Sequence, residues 1–217
     1  MPSECKTIAE TLNNNTAVNA DAIEYDVSDP VMFRKAIEDV KGRHGHLDII
    51  FNHAEVNHVS TNDTGIFKDT MAANVQSVLE CIKDAGDVMG GNKDGACVLC
   101  TSSNMVLLAD VVPSAYSISQ TALIGVIRAK AAELAGDGVR VNAISPASVD
   151  PRVLRSIFPT ADQTQLNEMI NNCKAKTAND DDVANAAVYL ASDYGKSVTG
   201  QNLVLNNALY PKISLSS

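Results

Sequence analysis

The stretch LDIIFNHAEVNH, residues 47–58, is where this chain concentrates groups able to do chemistry. An apolar run there gives way to Asn52, His53, Glu55, Asn57 and His58. The four histidines stand at 44, 46, 53 and 58, which raises a metal-binding reading. Strand geometry argues against it. His44 and His46 precede the apolar run while His53 and His58 follow it, and at ~3.3 Å per residue the two groups lie roughly 20 Å apart. His53, Glu55 and His58 remain as a three-ligand set on one loop, with no histidine or suitably placed cysteine at the other strand ends to support it. No metal is therefore expected. Cys97 and Cys100 form a CxxC, the spacing of a redox motif. GACVLCTSS reads as a buried strand, however, and strand residues three apart point to opposite faces, so these thiols cannot pair.

Alternating strands and helices must position these groups. Residues 21–27 (DAIEYDV) form a plausible short strand. SDPVMFRKAIEDVKG follows as a helix, with Asp29 as N-cap, Pro30 at the first helical position and Val31, Ala36, Ile37 and Val40 as its apolar stripe. Further strands are expected at 47–51, 96–101, 139–144 and 202–205, and helices at 68–88, 115–135 and 182–192. Irregular and helical chain, a candidate substrate loop, fills 149–178. This alternation predicts a single α/β domain over residues 1–217, built on a parallel sheet with helical crossovers. Ligands in such folds sit at the carboxyl ends of the strands, here 52–58, 102–104, 145–150 and 206–209.

At 217 residues and 45% apolar content the chain can bury a proper core. A net charge of −9 without a Lys/Arg cluster makes nucleic acid an unexpected partner. The first twenty residues hold no apolar signal region and no run approaches ~18 apolar residues, so no membrane is expected and the protein reads as soluble and cytoplasmic. Five cysteines at irregular spacing fit free thiols in a reducing compartment.

Several motifs together carry a resemblance. LDIIFNHAE resembles the "LDxLVNNAG" strand of the short-chain dehydrogenase/reductases, and Asp26–Val27 their adenine-contacting Asp-Val pair. Asn74–Val75 resembles the family's helix asparagine, CTSSNM its serine strand, and YSISQ (Tyr116 to Gln120) its YxxxK motif. VRVNAISPASV resembles "IRVNxIxPGxV", and the stretch from DDVANAAVYLASDYGKSVTG to NLVLNN resembles the family's carboxyl-terminal strand region. The resemblance covers about residues 20–210, with the plant secoisolariciresinol and xanthoxin dehydrogenases nearest in flavour. It implies a Rossmann-like sheet. It also implies Asn74, Ser102 or Ser103, and Tyr116 as catalytic residues, and a homodimer or homotetramer.

The departures fall on the nucleotide side. No glycine precedes Gly42, so the Gly-rich phosphate turn and the first strands of the family fold are expected to be missing. Gln120 stands in place of the lysine that, in the family, holds the nicotinamide ribose and lowers the tyrosine pKa. Glu55 replaces the glycine of "NNAG", Ala147 the glycine of "PG", and Asn206-Asn207-Ala208 the "DGG". An unassisted tyrosine near ~10 is a poor base but a serviceable acid. The expectation is therefore a non-redox isomerase, cyclase or lyase without a cofactor, acting on a hydrophobic plant-type metabolite. Tyr116, Ser102, Ser103 and Asn74 would be catalytic, and His53, Glu55, Gln120 and Asp150 would contact substrate. An NAD(P)-dependent oxidoreductase and a non-catalytic scaffold are the alternatives. The Asp21–Val27 strand is expected to pair beside Leu47–Phe51, with Ile8, Ala9 and Leu12 covering the sheet face left open.

Overall fold

The structure, a computed structural model, describes residues 2–23, 29–55, 64–92, 95–104, 112–147, 154–155, 161–172 and 178–206. In chain order these hold α1 (Pro2–Asn15), α2 (Pro30–His44), β1 (Ile49–Asn52) and α3 (Thr64–Met71). A π-helical turn (Ala72–Gln76) joins α3 to α4 (Ser77–Met89), followed by β2 (Ala96–Thr101) and α5 (Ser114–Leu134). The rest are β3 (Val139–Pro146), α6 (Gln163–Asn172), α7 (Asp180–Ala191) and β4 (Asn202–Leu205). The four strands are parallel in the order β1-β2-β3-β4, with Ile50 opposite Val98, Val98 opposite Val141 and Ala143 opposite Asn202. All of their carboxyl ends therefore open on one edge, as the alternation predicts.

Local chemistry fixes the helix ends. The Asp29 carboxylate accepts from the backbone N–H of Val31 at 2.9 Å and of Met32 at 3.3 Å. Gly45, at φ 83°, stops α2 by donating its N–H to Lys41 O. Helix α7 begins with a capping box between Asn179 and Asp182 and carries three aspartates in its first turn, where the helix dipole favours them. The apolar stripe of α2 lies as expected at Ala36, Ile37 and Val40 and departs at its first residue. Val31 is 75% exposed, and Phe33 packs against the core beside Ile37.

Two hydrophobic layers sandwich the sheet. One packs α2, α4 and α5 on Val98, Cys100, Val141 and Ala143. The other packs α7 on Cys97, Leu99 and Ile144. Cys97 and Cys100 thus lie in different layers, and both are free thiols.

Three expectations change. The single helix over 68–88 is divided by the π-turn, whose extra residue turns Asn74 inward to burial. Ile8 and Leu12 are exposed, so α1 does not cover the sheet. On β1, Ile50 is buried while Ile49 and Phe51, on the other face, are 49% and 39% exposed. Of the expected 21–27 strand, residues 21–23 are not strand and 24–27 lie outside the described residues.

Candidate active site

The first turns of α5 bring Tyr116, Ser119 and Gln120 onto one face, since residues three and four apart on a helix are neighbours. All three are buried, Tyr116 and Gln120 to 1% exposure. Beyond the end of β2, the Ser103 hydroxyl hydrogen-bonds the Tyr116 hydroxyl. Beyond the end of β1, Glu55 extends an exposed side chain over the same spot. Tyr116 donates to its carboxylate oxygens at 3.3 and 3.4 Å, and Gln120 Nε2 donates to Glu55 Oε2 at 3.1 Å. Three elements therefore meet at one phenolic oxygen.

A buried strut holds Tyr116 from behind. Asn74 Nδ2, presented by the π-turn, donates to Ser119 Oγ at 3.1 Å, and Ser119 Oγ donates to the Tyr116 carbonyl at 2.8 Å. Ser119 was not among the sequence candidates, although its position three residues after Tyr116 placed it on the same face. Thr101 was likewise missed, and it is the partner of His53 Nδ1 at 2.8 Å.

Electrostatics keep the tyrosine neutral. Burial pushes the Tyr116 hydroxyl well above its ordinary value, and the nearby Glu55 charge pushes it further. The Ser103 hydrogen bond pulls in the opposite direction and is outweighed. The sequence left Ser102 and Ser103 unseparated. Here Ser103 meets the tyrosine, whereas the Ser102 backbone N–H joins Ile144 O in the sheet ladder at 2.8 Å. His53 pairs with Thr101 and stacks its ring edge-on to Phe51. Asp150 and His58 lie outside the described residues. Ala147 is fully buried, and its backbone bonds Leu205 O and receives Ala178 N–H, so it locks β3 to its neighbours.

The resemblance makes a nicotinamide nucleotide the ligand to test against these groups. Gln120 Oε1 is buried without a hydrogen-bond partner among the described residues, an omission that costs about 1–3 kcal/mol in a finished site. Turning the amide over offers no remedy, because it would set Oε1 against the Glu55 carboxylate. An orphaned acceptor beside a tyrosine hydroxyl fits a ribose hydroxyl donor, so the ribose end of the nucleotide suits Gln120 and Tyr116. Glu55 meets the other atom of that amide, Nε2, so the ribose hydroxyl and the carboxylate engage different atoms of Gln120.

Known proteins resemble this chain along most of its length. The family described as enoyl-(acyl carrier protein) reductase matches residues 3–207. The chain is 32% identical to (+)-borneol dehydrogenase 1 of Salvia officinalis, over 92% of this chain and 78% of that one. It is 31% identical to secoisolariciresinol dehydrogenase of Forsythia intermedia, over 87% and 70% respectively. A short-chain dehydrogenase from Burkholderia cenocepacia, solved in complex with NADP, shares the fold at a TM-score of 0.77 and 24% identity, covering 94% of this chain and 82% of that one.

These relatives overturn the expectation of a non-redox isomerase, cyclase or lyase. They are named as dehydrogenases, so descent favours oxidoreductase chemistry. The expectation of no cofactor falls with it, since it rested on the non-redox reading that these named dehydrogenases overturn. The error came from reading each replaced motif residue as a loss, when neutral Gln120 retains a hydrogen-bonding position beside the tyrosine. By the match along nearly its whole length, the chain belongs to the short-chain dehydrogenase/reductase family.

Proposed function

We propose that this protein is a nicotinamide-dependent oxidoreductase that interconverts an alcohol and a carbonyl on a hydrophobic, plant-type small molecule. The observation that carries the reading is the Tyr116 hydroxyl, buried at the carboxyl edge of the sheet and flanked by Ser103. When bound, the nucleotide gives or takes a hydride. The chain's own groups do the rest. Tyr116 and Ser103 hydrogen-bond the substrate oxygen, and Tyr116 moves the proton at its hydroxyl. Asn74 and Ser119 fix the backbone that carries Tyr116, and Gln120 Oε1 receives a ribose hydroxyl. Ser102 serves as sheet backbone, and His53 lies at the substrate rim.

The named activities of the borneol and secoisolariciresinol dehydrogenases support an alcohol-bearing apolar skeleton as substrate. The protein works as a homodimer or homotetramer in the cytoplasm. No described helix is long and apolar enough to cross a membrane.

Borneol is a suitable probe. Titration with NAD⁺ and NADP⁺, followed by thermal shift and by fluorescence of the reduced form, should show saturable binding and alcohol-dependent reduction. Tyr116→Phe should lower the turnover by roughly 10²–10⁴ while binding persists, the usual range for removing a positioned acid–base group. A melting temperature unmoved by either nucleotide, with no turnover of borneol or other secondary alcohols, overturns the reading.

A further inference from the structure

We propose that Glu55 is the terminal proton acceptor of this site, reached through Tyr116, which passes a proton on without ever becoming a free phenolate. The inference rests on the oxidoreductase reading and deepens it. A tyrosine that acts alone as a base must ionise, and the surroundings forbid that here. Tyr116 is buried, Gln120 brings no positive charge, and a phenolate would stand against a carboxylate at 3.3 Å. Two anions at such a distance repel strongly once shielded from water. The tyrosine can give up its proton only as it receives another.

Its described hydrogen-bond partners are Ser103 and Glu55, and of the two only Glu55 offers a carboxylate to take up a proton. Gln120 Nε2 orients Oε2 of that carboxylate. As a neutral donor it does so without cancelling the negative charge, as a lysine would. The exposed side chain of Glu55 then returns the proton to water. The two replacements therefore complement one another. A positive charge has left position 120 and a negative charge has arrived at position 55, so basicity moves from the phenol to the carboxylate.

The step balances as follows. In alcohol oxidation the substrate C–H bond breaks, and its electron pair leaves with the hydrogen as hydride, for which the oxidised nicotinamide nucleotide is the acceptor. The substrate O–H proton passes to Tyr116 Oη while the Tyr116 proton passes to Glu55. A carbonyl, a neutral tyrosine and a carboxylic acid remain, and the acid then releases its proton to solvent. Carbonyl reduction reverses each transfer. The present contacts of 3.3 and 3.4 Å are long for transfer. A proton crosses when the pair closes to about 2.5–2.8 Å, and catalytic hydrogen bonds commonly tighten on ligand binding.

The experiment has an optical arm and a kinetic arm. Ultraviolet phenolate absorbance is titrated for the parent and for Glu55→Gln, with Tyr116→Phe subtracted to isolate this one tyrosine. Among the described residues, Glu55 is the titratable group whose charge acts on Tyr116, and His53, two residues before it in sequence, is turned to Thr101. Loss of the carboxylate should bring Tyr116 ionisation to lower pH. In alcohol oxidation, Glu55→Gln and Glu55→Ala should lose roughly 10²–10⁴ in kcat with KM little changed, and Glu55→Asp should retain part of it. Added acetate should restore turnover to Glu55→Ala, which a merely structural role would not allow. An unmoved Tyr116 titration, or a Glu55→Gln enzyme as fast as the parent, overturns the proposal while the oxidoreductase reading stands. A parent inactive with every nucleotide and alcohol overturns both.

Discussion

Tyr116 illustrates how one side chain takes its character from three segments distant in sequence. Its hydroxyl is raised above its ordinary value by burial and by Glu55. A raised tyrosine pKa makes the folded state hold its proton more tightly than the unfolded chain does. Stability from this source is therefore complete below the unfolded value of about 10 and is lost as pH rises above it. Thermal melts between pH 7 and 11 should accordingly show a fall above pH 10 that is smaller in Tyr116→Phe. The raised thiols of Cys81, Cys97 and Cys100 begin their own erosion at lower pH, so the two proteins should diverge only in the upper part of the curve. At this scale the pairing of Tyr116 with Ser102 or Ser103 was legible through the family resemblance, while the choice between the two serines was not, because adjacent strand residues face opposite ways. The reach of Glu55 was not. Loop residues after β1 carry no periodic signal, and which way the carboxylate turns depends on donors 61 and 65 residues further on.

At the scale of elements, α5 is a rigid mount and the π-turn is the brace behind it. Asn74 is buried and reaches Ser119, which in turn holds the Tyr116 carbonyl. Replacing Asn74 with Ala leaves Ser119 Oγ short of a donor in a dry interior, at a cost of about 1–3 kcal/mol. Chemical denaturation should report that loss, with the midpoint falling and the slope unchanged. Turnover should fall as well, because the brace sets the tyrosine's position. Asp29→Ala, at the start of α2 and far from the chemistry, should cost about 1 kcal/mol through loss of its cap and leave turnover per folded molecule unaltered. Strand β2 was predicted to its last residue and the ends of α5 and α7 to within one or two, since apolar runs and caps announce them. The break in 68–88 went unread because a single π-turn leaves the apolar spacing on both sides nearly intact. The stripe of α2 was misread only at its first residue. Val31 sits in its first turn, beyond the reach of the core that Phe33 and Ile37 enter.

The whole molecule is a parallel sheet between two unequal layers, and that much was legible in the alternation of strands and helices. What covers the outer face of β1 was not, since apolar residues on a short strand look alike whether a helix lies over them or not. Among the described residues the layers differ in size, with the α2–α4–α5 side far larger than the α7 side. Because adjacent strand positions alternate between faces, β2 places one thiol in each layer: Cys97 beneath α7, Cys100 beneath α4 and α5. This strand is thus a pair of built-in clocks. Pulsed alkylation under mildly destabilising conditions, with each cysteine followed by mass spectrometry, times the opening of the two sides separately. Cys97 should be modified first, at a rate set by release of the smaller layer, and Cys100 only with global unfolding. Equal rates for the two would mean that the sandwich opens as one body.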